Sequence, residues 1–126
     1  KAVFFDYVEH EEAIRKSAQS SVLLLLLNDA PNVMGIIPGK MYEYMATQRP
    51  ILCIGPTNND AAQIINELNA GKVIYYDDFE KMKKSILNFF HKRNEQVSNI
   101  DTDKLLKYSR KALTSKIVEL LDSISK

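Results

Sequence analysis

The sequence predicts an α/β fold in which helices pack on a parallel sheet of about four strands. Three observations point to it. Short apolar runs at Ala2–Phe5, Val22–Leu27, Pro50–Ile54 and Val73–Tyr76 have strand length. Longer stretches between them place apolar residues at helical spacing. Breaker clusters, Ser20-Ser21, Asn28–Asn32 and Gly55-Pro56, separate the two kinds of segment. Strand and helix therefore alternate along the chain, the pattern of successive βαβ units.

Ala2–Phe5 ends at Asp6 and reads as the first strand. Glu9 to Glu12 opens a helix, with acids in the first turn where they complement the helix dipole, and Ser20-Ser21 stops it. Val22–Leu27 is unbroken leucine and valine, as expected of a strand covered on both faces. A loop from Asn28 to Ile37 leads to Pro38, which suits a helix start because it has no N–H to leave unpaired. That helix runs to about Thr47. Pro50–Ile54 is the next strand. Asn58, Asn59 and Asp60 offer caps for a helix over 61–69, with Gly71 as its stop. Val73–Tyr76 forms a strand and Asp77-Asp78 starts a helix over 79–92. After a polar connection from Arg93 to Ile100, Asp101 or Thr102 caps a final helical segment, with a break expected near Thr114-Ser115.

The 126 residues are one domain by length, 1–126, and 45% hydrophobic against 26% charged residues fits a chain with a packed core. Lys+Arg of 17 against Asp+Glu of 16 gives a net charge of +1, without the basic excess that nucleic-acid binding requires. The basic residues cluster between Lys81 and Lys116, chiefly as solvated helix faces, with attraction to an anionic membrane surface as the functional alternative. One cysteine, Cys53, excludes an internal disulfide and, within Ile51–Ile54, reads as a buried thiol in a reducing, cytoplasmic setting. The longest apolar run is far short of the roughly 20 residues of a membrane-spanning helix. The chain opens on Lys1 at an apolar segment, which suggests an excised domain.

The chemistry concentrates in Met34–Ala46, a loop after a buried strand that feeds a short helix. In a parallel sheet, ligands bind beyond the carboxyl ends of the strands. Gly35 and Gly39 permit close approach of a ligand, and the helix start offers unpaired N–H groups and positive potential to a phosphate. Lys40 adds a cationic donor. Lys40, Glu43 and Thr47 share one helix side, and a carboxylate there can accept from two adjacent sugar hydroxyls. The bland alternative is an ordinary Lys40–Glu43 surface pair beside common loop chemistry.

Gly39-Lys40-Met41-Tyr42-Glu43-Tyr44-Met45-Ala46, followed by Pro50-Ile51-Leu52, resembles the signature in the C-terminal domain of GT-B-fold glycosyltransferases. It is most similar to the retaining "glycosyl transferases group 1" family. The similarity extends over nearly the whole chain, through Phe5–Ala13, Ser21–Leu27, Asp60–Gly71 and Tyr108-Ser109-Arg110. The resemblance implies a Rossmann-like, truncated donor domain whose glutamate at Glu43 binds the ribose of a nucleotide-diphosphate sugar. It implies donor-loop roles for Gly39, Lys40, Gly35, Ile36, Ile37 and Pro38, and places Val8, with Tyr7, near the base. The catalytic residues and the glycan or lipid-linked acceptor would belong to an N-terminal domain outside this chain, so the fragment is expected to be inactive alone.

Two departures stand out. Many relatives carry a second glutamate where this chain has Gly35, which leaves the sugar and the stereochemical outcome open. Two further strands also precede the matching region in the family, and their absence would expose a sheet edge and invite self-association. The competing reading is a non-catalytic α/β interaction module, for which Asn28-Asp29 is a poor acidic pocket. Asp101-Thr102-Asp103 and Asp77-Asp78 read as helix caps, and His10 and His91 as surface residues, with a place near the donor loop as the alternative for His10. No metal and no cofactor are expected.

Overall fold

A computed structural model describes residues 2–93 and 99–124. Three parallel strands form the sheet, β1 (Leu23–Leu26), β2 (Ile51–Ile54) and β3 (Gly71–Ile74), in the order β1-β2-β3. Leu25 stands opposite Cys53 and Cys53 opposite Val73. The helices are α1 (His10–Gln19), α2 (Gly39–Ala46), α3 (Asp60–Glu67), α4 (Phe79–His91), α5 (Thr102–Leu106) and α6 (Arg110–Ile124). The architecture is mixed α/β and compatible with a Rossmann-like arrangement.

The strand period divides the apolar residues between two layers. On one face Leu25, Leu27, Ile51 and Cys53 meet Met41 and Met45 of α2 and Ile64, Ile65 and Leu68 at α3. Ile100 and the half-buried Leu105 and Tyr108 close this layer. On the other face Leu52, Ile54 and Ile74 pack against Met82 and Phe89 of α4. β2, central and covered on both sides, is buried at every position.

Three expectations need correction. Ala2–Phe5 is not a strand: Val3, Phe4 and Phe5 are exposed, and no neighbouring strand supplies the backbone bonds that would hold them extended. The sheet therefore has three strands instead of four. β1 is not covered on both faces either. Leu23 and Leu25 are buried, but Leu24 and Leu26 are 54% and 64% exposed because α4 lies over β2 and β3. Gly71, expected to stop α3, opens β3 instead. The stop is Asn69, in the left-handed region at φ 51°, where a short amide side chain is tolerated.

The remaining boundaries differ by a residue or two, apart from the C-terminal helices. Asp101 caps α5, accepting from the Lys104 N–H at 3.0 Å. The break falls at Lys107–Ser109, not at Thr114-Ser115, because the Ser109 hydroxyl accepts from the Ala112 N–H and starts α6 afresh. Part of the connection expected over 93–100 lies outside the described residues. No described helix is long and apolar enough to cross a membrane.

Candidate functional site

Pro38 directly precedes α2 at φ −66° and has no side-chain acceptor, so no side chain caps the helix. The first bond is made by the Met41 N–H to the Pro38 carbonyl at 2.9 Å. The Gly39 and Lys40 amides thus remain available to a ligand at the positive end of the helix. A Cβ built on Gly39 or Gly35 would meet nothing within 4 Å, so both glycines border open space.

α1 flanks α2, and its first turn likewise has no side-chain cap. In contrast, α3, α4 and α5 are capped by Asn59, Asp78 and Asp101. Between the two uncapped helices runs a cleft of about 160 Å³, lined by His10, Ala13, Ile14 and Ser17 of α1 and Lys40, Glu43, Tyr44 and Thr47 along α2. Two of its polar groups are already engaged. The Ser17 hydroxyl donates to the Ala13 carbonyl at 2.9 Å, and the Thr47 hydroxyl to the Tyr44 carbonyl at 2.7 Å. Glu43 is exposed, and among the described residues its carboxylate has no hydrogen-bond or ion-pair partner, Lys40 included. His10, Lys40, Glu43 and the Tyr44 phenol are therefore the groups this cleft can offer to a ligand.

Lys40 and Glu43 thus meet in one cleft, as the sequence suggested, together with Thr47. Gly35, Ile36 and Ile37 are exposed on the approach to α2, Pro38 and Gly39 begin it, and Val8 is half-buried two residues before α1. None of these six lines the α1–α2 cleft. Met41 and Met45 are fully buried, consistent with packing instead of recognition, while Tyr44 is half-buried and borders the cleft. Tyr42 meets Tyr108 in a tilted ring contact with centroids 5.9 Å apart, and burial pushes its phenol pKa up.

Sequence reading allowed only His10 of α1 a place near the donor loop and missed the rest of that helix's contribution. His10, Ala13, Ile14 and Ser17 recur at intervals of three and four, one helix face, and that spacing was the available signal. It also missed a second role of Asn59. This fully buried side chain accepts from the Ala62 N–H at 2.8 Å, capping α3, and donates to the Val33 carbonyl at 3.2 Å. Val33 opens the 3-10 turn Val33–Gly35 within the loop that leads to α2, so Asn59 pins that loop.

The Asp-x-Asp spacing at Asp101 is absorbed by capping: Asp101 accepts from the Lys104 backbone and pairs with its ammonium at 3.3 Å. Asp78 does the same at α4 with Lys81. No group of three or more His, Cys, Asp or Glu side chains placed to hold a metal ion occurs among the described residues. No family model, no curated protein and no solved structure matches the chain.

Proposed function

We propose that the chain is the donor-binding part of a glycosyltransferase, taking a nucleotide-diphosphate sugar at the α1–α2 cleft. The observation that carries this reading is the unpartnered Glu43 carboxylate, one turn into a helix with free leading amides, beside an open cleft. A carboxylate so placed accepts from the two vicinal hydroxyls of a ribose. The amides of Gly39 and Lys40, with the Lys40 ammonium, suit the negative charge of a diphosphate. The cleft of about 160 Å³ is smaller than the ~300–1,000 Å³ of complete ligand pockets, so it suits part of a donor, with the rest lying along the exposed Gly35–Ile37 loop. Transfer to a glycan or lipid-linked acceptor would need catalytic groups from another domain. The basic residues between Lys81 and Lys116, the candidates for attraction to an anionic membrane, are divided between α4 on one layer and the α5 region on the other, and Lys81 and Lys104 are committed to Asp78 and Asp101.

The test is a titration of the chain with UDP, GDP and their sugars, following the backbone amide resonances of Gly39 to Glu43. Saturable shifts centred on those amides are expected. Glu43→Ala removes hydrogen bonds to a charged acceptor worth about 1.5–3 kcal/mol each, so affinity should fall at least ~10-fold. Gly39→Ala provides a control for fold. The added methyl meets open space in the free chain, so weakened binding with unchanged stability would reflect crowding of the ligand. Absence of any shift at millimolar nucleotide, or a Glu43→Ala variant that binds as well as the parent, would overturn the proposal.

A further inference from the structure

The direction of α1 relative to α2 decides which groups share an end of their cleft. Arg49 lies just beyond α2, and its Nε donates to the Ala18 carbonyl in the last turn of α1 at 2.7 Å. The carboxyl ends of the two packed helices therefore lie together, and the helices run in the same direction. His10 opens α1 and Lys40 stands in the first turn of α2, so both fall at the other end of the cleft. Ser17 and Thr47 follow roughly 10 Å further along their helices. Their hydroxyls are engaged with carbonyls of their own helices, whereas His10 and Lys40 have no side-chain partner among the described residues. The other charges around His10 are spent or turned elsewhere. Glu12 holds Arg15 at 2.8 Å and Lys16 at 3.4 Å, and Lys16 also lies over the Phe5 ring. Asp6, Glu9 and Glu11 are exposed and do not line the cleft; from α2, Lys40, Glu43 and Tyr44 do.

We infer that His10 is a second cationic contact for the donor's diphosphate, at the same end of the cleft as Lys40, and makes donor binding depend on pH. This role rests on the donor-site reading above and adds to it a residue and a direction. Imidazole is the side chain that ordinarily changes charge between about pH 8 and 5. As imidazolium it attracts a diphosphate and donates charge-assisted hydrogen bonds; as neutral imidazole it offers one weaker donor. Affinity should therefore rise as pH falls. The chain's other histidine, His91, ends α4, which packs on the opposite face of the sheet from α2. The sheet thus separates it from the cleft.

Amide-shift titrations of the chain with UDP-glucose and GDP-mannose between about pH 8 and 5.5 test it. Sugar nucleotides are the suitable probes because their diphosphate is esterified at both ends. The terminal phosphate of free UDP or GDP would itself titrate near about pH 6. Parent affinity should rise roughly 5- to 10-fold toward the acid end. His10→Gln, a neutral donor, should hold the weaker value at every pH. His10→Arg, charged throughout, should hold the tighter one. His10 is exposed, so both variants should unfold at the parent's denaturant midpoint. A parent that binds equally well at both ends of the range overturns the role of His10 and leaves the donor site in place. So does a His10→Gln variant that keeps the rise, which would assign it to another group. A His10→Arg variant that binds no tighter than His10→Gln at about pH 8 has the same consequence. Failure of both the parent and His10→Arg to bind either sugar nucleotide at any pH would remove the donor site, and this role with it.

Discussion

Asn59 shows how one side chain can couple the core to a candidate ligand loop. Its carbonyl oxygen caps α3 while its amide nitrogen holds the Val33 carbonyl. Aspartate could perform the first task but not the second, having no donor. Asn59→Ala should therefore cost roughly 2–3 kcal/mol in denaturant unfolding, by loss of a cap and of a buried carbonyl's partner. Asn59→Asp should keep the α3 cap yet release the loop, read as new amide exchange at Val33 to Gly35 without unravelling of α3. Equal protection of that loop in both forms would remove Asn59 from any positioning role. The capping half was legible, because asparagine before an apolar helical stretch is a known start signal. The loop contact was not, since it joins residues far apart in sequence. Cys53 was fully legible from its apolar neighbours. It is completely buried, and burial pushes its thiol up to about 11. The native chain should therefore resist alkylation for hours at neutral pH and react completely once unfolded in guanidinium. Rapid native labelling would show that the sheet opens readily.

At the scale of elements, helix starts were read correctly where a side chain supplies the cap, and ends less well. α3 stops at Asn69 because that residue turns left-handed, whereas Gly71 is needed two residues later for a different reason. A Cβ on Gly71 would overlap the Ile51 carbonyl of β2, a cross-strand contact that sequence spacing does not reveal. Gly71→Ala should destabilise by about 3 kcal/mol, measurable as a lower urea midpoint with unchanged slope. The caps of α4 and α5 carry a pH signature. The side-chain hydrogen bond from Lys81 and then its backbone N–H hold Asp78 below the usual carboxylate value, and the Lys104 backbone N–H does so for Asp101. A carboxyl depressed on folding stabilises above its unfolded pKa, and that contribution is lost as pH falls through the lower, folded value. Both side chains are partly exposed, so the effect is local and sensitive to salt. Between about pH 5 and pH 2 the first turns of α4 and α5 should fray, ahead of β2, in amide chemical shifts. Replacing both acids with asparagine should flatten that response; a persistent response would assign it to other carboxylates.

For the molecule as a whole, sequence gave the alternation of strands and helices but could not say how much of the apolar surface finds cover. Val22–Leu27 reads as a strand buried on both faces, yet β1 is buried on one, because coverage depends on which helices lie above it. The same gap between composition and packing recurs at the C-terminus. Ile100 is buried in the core, and Tyr108 bonds to Glu67 at 3.1 Å, so the chain is anchored through the end of α5. Beyond it, α6 has no buried residue, and Leu113, Ile117, Val118, Leu120 and Ile124 are between 46% and 72% exposed. A helix of that length is marginal in water without tertiary contacts. The body from Ala2 to Ser109 should therefore carry essentially all of the global stability. Truncation after Ser109 should shift the unfolding free energy by less than about 0.5 kcal/mol, the range of surface changes. In the intact chain, α6 amides should exchange at least ~100-fold faster than those of β2, as expected of a segment that opens without global unfolding. A truncated chain that loses cooperativity, or α6 amides protected as strongly as the sheet, would mean that this helix is part of the cooperative body.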